Sequence, residues 1–491
     1  MNRYFLLLWC LVSPLWAAGL NWDVTLFVDQ ASPDAIDTGV DAGTGETPFK
    51  TVSAAAQRAM AVAAEGKSVG VFVRPGTYRE SIEMVGQSET DYAPITIQGV
   101  SDEVTITGAE PWNGWKIERN GAFEHAWPYG ESVAPMIFVQ GVRVIHMPNK
   151  KNLGPGESTL INNGKTVLML PPKNGVVREG NVEVAERTEL LRVQNLDSVT
   201  VSGLKLHGTT NGAEPASLGA VSFQQTASVQ LEELSVQYNE IGLSVFHSKA
   251  LTLNGVTASR NSVSGAKLYW NNTVEINGGE YSLNGVHSDG SESYGLGLRK
   301  TASVAIRRAQ ITENRLGLLL SYISDGAEVD AAHVFVNREV GVEAVSTKGL
   351  YMSGCIIAST GDTAMEFRGS AGEVKNTIFY SAEGKDPLLI FESMNQVSLT
   401  DNIAANFGSG MLVVASGVTE TDEWGSNLFF AKKEKCFSYS DKSHDFSGWQ
   451  DVTGNDLNSF FGDPLFVDPG RYEFALRNAS PWFKKNSWPV R

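Results

Sequence analysis

The sequence predicts an all-β fold, a right-handed parallel β-helix with an N-terminal capping helix and a β-rich insertion. Three observations carry that reading: a repeat of 22 to 23 residues, period-two alternation inside each copy, and an asparagine that closes most copies. The template is apolar-x-apolar-x-x-apolar-x-apolar-x-x-Asn. Val229, Leu231, Leu234, Val236 and Asn239 follow it, as do Leu251, Leu253, Val256, Ala258 and Asn261. Val274, Ile276, Gly279, Tyr281 and Asn284 come next, then Val304, Ile306, Ala309, Ile311 and Asn314, then Ala327, Val329, Ala332, Val334 and Asn337. Leu350, Met352, Cys355 and Ile357 keep the frame with Thr360 in the Asn slot, and Val199, Val201, Leu204 and Leu206 form an earlier copy ending at Thr209. First positions fall at 199, 229, 251, 274, 304, 327 and 350, so the steps are 30, 22, 23, 30, 23 and 23.

Alternating apolar residues over four to six positions read as short strands with one buried face. After the Asn slot comes a glycine and a further strand, as in 242–246, 317–321 and 341–345. About three short strands per repeat and no helix describe one coil of a parallel solenoid. A leucine-rich repeat has a period in this range, but its leucine spacing is absent. Parallel crossovers are right-handed in nearly all proteins, which sets the hand. Asparagines at one corner of successive coils can stack as a ladder at the inter-strand spacing of about 4.8 Å.

The elements follow in order. Residues 1–19 have a short basic start, an apolar run from Phe5 to Val12 and Ala17–Ala18–Gly19, the pattern of a cleaved signal peptide. Residues 20–110 form the N-terminal cap and first coils. Here an Ala-rich helix from Val52 to Ala64, opened by Thr51 and stopped by Gly66, is expected to cover the open end of the core. Residues 111–190 lose the repeat and bring Trp112, Trp115 and Trp127, so they read as a β-rich insertion. The repeats are expected over 191–415, and residues 416–491 as an irregular C-terminal cap.

Composition narrows the function. The chain has 491 residues and a formal charge of -16, from 39 Lys+Arg against 55 Asp+Glu. Without a dominant basic stripe, nucleic acid is not an expected partner. No segment reaches transmembrane length, so no membrane span is expected either. Three cysteines give no disulfide framework, and after signal cleavage only Cys355 and Cys436 remain. Metalloprotease, P-loop and nucleophile-elbow motifs are absent. The expected location is therefore secreted or periplasmic, with the protein acting as a monomer.

Gly45, Thr47–Thr51 and Arg74–Tyr78 resemble the start of secreted right-handed β-helix proteins of the pectate-lyase-like superfamily, and Asp463–Asp468 with Ala479–Pro481 resembles their usual ending. The resemblance covers nearly the whole mature chain. It implies the fold and a carbohydrate-active role: polysaccharide lyase, glycoside hydrolase, esterase, epimerase or tailspike. Fold alone does not choose among these.

The two 30-residue steps each place about seven extra residues at one corner of the coil. One loop, Gly208 to Gly219, carries Asn211 and Glu214; the other, Gly285 to Tyr294, carries His287, Asp289, Glu292 and Tyr294. They lie three coils apart, about 14 Å, and would wall a groove for a few sugar rings. Alternation aims Ser222, Gln224, Ser244, Phe246, Lys267, Tyr269, Gly297 and Arg299 outward on its floor, with His247, Trp270 and Lys300 at the strand ends. Phe246, His247, Trp270, Lys300 and Asp289 are the candidate sugar-binding residues there. Elimination needs a base, an acid and a neutraliser of a uronate, parts that Lys267, Tyr269, His287 and Arg299 can supply. Ion pairing of Lys267 and Arg299 with Asp289 or Glu292 is the plainer alternative.

Hydrolysis would instead use Glu343 and Glu366, outward on successive coils and near 5 Å apart, with Arg368 beside Glu366 as a further sugar-binding candidate; a structural ion pair of Arg368 with Glu366 is the plainer alternative. The basic groove favours elimination over hydrolysis of an extracellular polysaccharide, an anionic one included; a non-catalytic glycan-binding solenoid stays open. No cofactor is required. Ca²⁺ is the one candidate: Asp325, Glu328 and Asp330 could hold it, though they also suit a solvated turn. Asn277–Glu280 resembles a calcium motif of one lyase family but falls inside the regular repeat, where it reads as coincidence. His207 and His333 read as solvent-facing repeat residues, and Cys355 as a core thiol.

Overall fold

A computed structural model describes residues 22–118, 121–210, 218–286, 292–359, 363–392, 396–416 and 422–484. Three sheets of 13 strands run the length of the chain, and each coil contributes one strand to each sheet in turn. In one coil these are Ser228–Glu232, Ser235–Gln237 and Ile241–Phe246. Strands pair in parallel with the next coil in register, Val229 on Leu251 and Leu251 on Val274. This is the right-handed parallel β-helix that the repeat predicts.

The predicted inward side chains are buried, and the slot at Gly279 is half-buried. Val229, Leu231, Val236, Leu243 and Val245 are at most 1% exposed, and their counterparts in other coils join them in one continuous core. Burying such rows is the main stabilising term of the coil.

The second corner of the coil explains the Asn slot. Tyr238, Arg260, Leu283, Glu313 and Val336, each one residue before a slot, take left-handed backbone with φ between 56° and 58°. That conformation is costly for a β-branched residue such as Val336. The following asparagine holds the turn in place. Each backbone N–H donates to the next coil's side-chain oxygen: Asn239 to Asn261 at 3.0 Å, Asn261 to Asn284 at 3.0 Å, Asn284 to Asn314 at 2.9 Å and Asn314 to Asn337 at 3.0 Å. The side-chain amides donate back to strand carbonyls, as Asn284 does to Ala258 at 2.9 Å. The glycine that follows the slot has a steric cause. A Cβ on Gly242 or Gly317 would lie 2.7 or 2.8 Å from the amide nitrogen of Asn261 or Asn337.

The capping helix spans Val52–Ala64, with Thr51 accepting from the Ala54 N–H and Glu80 accepting from Val52 and Ser53. Its buried face closes the end of the core. The insertion leaves the coil after Val104–Thr107 and forms an eight-stranded sheet from Ala109–Pro111 to Val182–Ala185. At the far end the coils run on past residue 415. Trp424–Gly425, Leu428–Ala431 and Phe437–Tyr439 build a further turn, and the short helix Phe446–Thr453 plugs it with Trp449. Here Asn402 and Asn427 carry an equivalent ladder on the first corner. A terminal hairpin, Phe466–Asp468 with Glu473–Leu476, covers the outside of the second sheet at Tyr380, Ile403 and Leu428.

Candidate functional site

The outer face of the third sheet presents two columns of side chains. One column runs Ser222, Ser244, Lys267, Gly297, Leu319, Glu343 and Glu366; the other runs Gln224, Phe246, Tyr269, Arg299, Ser321, Val345, Arg368 and Glu392. The predicted outward positions are therefore correct in register. Their exposure is not as predicted. Lys267 is 7% and Tyr269 5% exposed, and Phe246 is half-buried.

The cover is local. Glu292, at the end of the second long loop, folds back over the strands. It takes Lys267 Nζ at 3.6 Å and Arg299 Nη1 at 2.9 Å, so the ion-pairing alternative holds for both cations. Tyr269 is packed between Phe246, at 5.9 Å, and the Arg299 guanidinium, 5.4 Å from its ring centre. Burial lowers the Lys267 pKa against the pull of Glu292 and Glu240, and burial raises that of Tyr269. Glu240, which the sequence reading passed over, lies on the other side of Lys267; burial pushes its carboxyl up to about 7, with Lys267 opposing. Three buried polar atoms here have no hydrogen-bond partner among the described residues: Glu240 Oε2, Tyr269 Oη and Arg299 Nε. His287 and Asp289, and most of loop 208–219 with Asn211 and Glu214, lie outside the described residues.

Further along the same column the two carboxylates come together. Glu343 and Glu366 are register partners on neighbouring strands. Arg368 Nη2 holds Glu366 at 2.7 Å and its Nε lies 3.4 Å from Glu392. Burial raises the pKa of both; the Arg368 and Arg299 charges oppose this at Glu343, while at Glu366 Arg368 opposes and Glu343 adds to it. The rungs just before them are apolar on the outside. Leu319, 2% exposed, packs with Tyr294, Leu316 and Val340, which supplies the low-dielectric floor. The Tyr294 hydroxyl is pushed up to about 12 by burial and by Glu343.

The strand ends add a shelf. His247, Trp270, Lys300 and Tyr322 occupy successive left-handed turns, with His247 stacked on Trp270 at 5.5 Å and Lys300 Nζ 5.7 Å from its ring centre. Trp270 is 42% and Tyr322 54% exposed, beside a shallow hollow lined also by Asn271 and Thr301. Of the remaining residues, Glu328 pairs with Arg307 at 2.8 Å, and among the described residues no group of three His, Cys, Asp or Glu is gathered as a metal site. Cys355 is buried, as expected. His207 is not a solvent-facing residue; the insertion covers it, with Phe138 at 5.8 Å.

No protein-family model and no curated protein sequence matches the chain. Solved structures do. The complex structure of XylC with xylose superposes with a TM-score of 0.57 at 13% identity, over 90% of this chain and 87% of that one. A glycoside hydrolase reaches 0.42 at 10% identity, over 92% and 99% of the two chains. PfbA, a surface adhesin of Streptococcus pneumoniae, reaches 0.37 at 10% identity, over 84% and 88%. No helix among the described residues is long and apolar enough to cross a membrane. The chain has the right-handed parallel β-helix fold that its sequence resemblance to the pectate-lyase-like superfamily implied.

Proposed function

We propose that the chain hydrolyses glycosidic bonds of a glycan lying along the third sheet, with Glu343 and Glu366 as the working carboxylates. The supporting observation is their pairing across one rung, where both have raised pKa values, Glu366 in an ion pair with Arg368 and Glu343 in none among the described residues. A retaining mechanism needs one carboxyl protonated and one ionised, and raised pKa values are the direction that keeps a proton on the pair. The protonated member gives its proton to the leaving oxygen, and the ionised member attacks the anomeric carbon to form a glycosyl-enzyme. Water then opens that bond as the first residue takes the proton back. Neighbouring rungs are about 4.8 Å apart, in keeping with the carboxyl separation of about 5–5.5 Å used by retaining glycosidases.

The charges around the column argue against elimination. Lys267 and Arg299 share Glu292, and Arg368 is held by Glu366 and Glu392. Elimination would need a base less enclosed than Lys267, while Lys300 on the shelf enters no ion pair among the described residues and stays available to an acidic sugar. The Trp270 and Tyr322 faces, three coils and one coil before Glu343 along the same sheet, suit stacking on sugar rings of a glycan that runs along it. The apolar run at Phe5 to Val12 supports an extracellular or periplasmic place of action.

The test is product analysis on a panel that begins with xylo-oligosaccharides, since xylose is bound in the XylC structure, and includes pectate, alginate and glycosaminoglycans. New reducing ends without unsaturated sugars are expected. Unsaturated products would sink the carboxylate reading, and binding without turnover would reduce the site to a lectin-like one.

A further inference from the structure

A second cleft lies between the second sheet and the insertion. Its floor is two polar columns: Thr77, Thr105, Lys205 and Ser235 are register partners, and so are Thr107, His207 and Gln237. Phe138 and Glu183 of the insertion form the roof, and Tyr238 closes one side. The cleft is open on one side and holds about 310 Å³, at the small end of the range of about 300–1,000 Å³ for small-molecule sites.

The lining is not that of an interface that failed to close. Apolar contact between the two parts is confined to a small cluster around Phe138, Met136 and Ala185. The cleft side chains keep unused hydrogen-bonding capacity. His207 Nδ1 is buried with no hydrogen-bond partner among the described residues, and burial lowers its pKa, which favours the neutral ring with one donor and one acceptor. Arg79 pairs with Glu183, and those two charges cancel. Lys205 is exposed and enters no ion pair among the described residues, so it leaves the cleft with one uncompensated positive charge in a chain of net charge -16.

Hydroxyls, an amide, a neutral imidazole, two aromatic edges and one free ammonium complement a ring rich in hydroxyls that carries one carboxylate. We propose that this cleft is a non-catalytic binding site for an acidic saccharide of one or two rings, with the carboxylate at Lys205 and the hydroxyls at His207 and Gln237. The cleft and the Glu343–Glu366 pair lie on different sheets, so the inference stands apart from the proposed hydrolysis.

The experiment uses cellobiouronic acid and cellobiose, which differ by one carboxylate, titrated calorimetrically into the whole protein. Saturable binding of the acid is expected, at least about tenfold tighter than cellobiose and weakened at least about tenfold by Lys205→Ala and by Gln237→Ala. Glu366→Gln should leave it unchanged. Because Lys205 is exposed and Gln237 half-exposed, unaltered melting temperatures are expected and serve as the folding control. Absence of saturable binding, equal affinity for the two sugars, indifference to both cleft variants, or loss in Glu366→Gln would each overturn the proposal.

Discussion

Glu343 and Glu366 face each other across one rung of the third sheet, two carboxylates with Arg368 as the cation in contact with the second. Like charges at that range cannot both ionise freely, and the outer cluster of Tyr294, Leu316 and Leu319 lowers the dielectric beside them. A purely structural arrangement would pair each carboxylate with its own cation. Here Glu343 has no ion pair among the described residues, although Arg299 and Arg368 are near enough to bias it.

Replacing either carboxylate by its amide should therefore remove turnover while leaving the fold. Glu343→Gln and Glu366→Gln are expected to lower kcat by at least about 10³-fold, with melting temperatures close to that of the parent. Azide should restore turnover, as a glycosyl azide product, in whichever variant lacks the nucleophile. Near-parental activity of both variants on a cleaved substrate would exclude the pair.

The pH profile follows from the same two groups. Burial raises both pKa values, so both limbs are displaced upward: activity falls on the acid side as the nucleophile gains a proton and on the alkaline side as the general acid loses one. A bell with its optimum on the acid side of neutrality is expected in kcat/KM. In each amide variant one limb of the bell should disappear. A flat profile through neutrality would contradict a proton-sharing pair.

Lys267 reads differently once its cover is known. Its ammonium is buried against half-exposed Glu292, so removing one partner strands the other. Glu292→Gln should cost about 1–2 kcal/mol, a figure reduced for the solvent that reaches Glu292. Lys267→Met in the Glu292→Gln background should restore much of it, as a double-mutant cycle in urea would show. Additive losses would mean that the pair is not coupled.

How far the sequence carried the reading depends on what covers each residue. Inward positions such as Leu243 and Leu268 were legible because alternation is a local property of a strand. Asn239 to Asn337 were legible because one corner repeats. The burial of Lys267 was not, since its lid, Glu292, comes from a loop inserted one coil later. Glu240 was missed because it sits at a turn, outside the alternating strands. A signal was available at the C-terminal end: Ile356, Ile378 and Ile403 occupy the outward column that Ser235, Thr257 and Glu280 fill earlier, and the terminal hairpin packs on that apolar stretch. The roof over His207 left no such trace, because the columns beneath it stay polar.

The ladder makes a stability prediction. Asn284 accepts from Asn261 through its side-chain oxygen and donates to Ala258 O and Asn314 Oδ1, all buried. Leucine at this position fills the space but satisfies none of these groups. Asn284→Leu should cost about 3 kcal/mol or more, since each orphaned buried group costs about 1–3 kcal/mol. A loss under about 1 kcal/mol would show that the corner tolerates open amides.

Glu240 ties stability to pH, with a sign that can be checked. Its carboxyl titrates at about 7 in the folded chain against 4.5 for an ordinary glutamate, because burial disfavours the charge more than Lys267 favours it. Between those two values the folded protein holds a proton that the unfolded chain has released. Stability from this group is therefore present below about pH 4.5, is lost progressively as pH rises to about 7, and changes no further above it. Glu240→Gln keeps the shape of the neutral carboxyl and removes the titration. Urea denaturation of parent and variant should agree near the lower value and diverge toward the upper one, with the variant the more stable, and run parallel beyond. Parallel curves across the whole window would show that Lys267 compensates the buried carboxylate fully, and Glu240 would then belong to a settled ion pair instead of an energetically costly one.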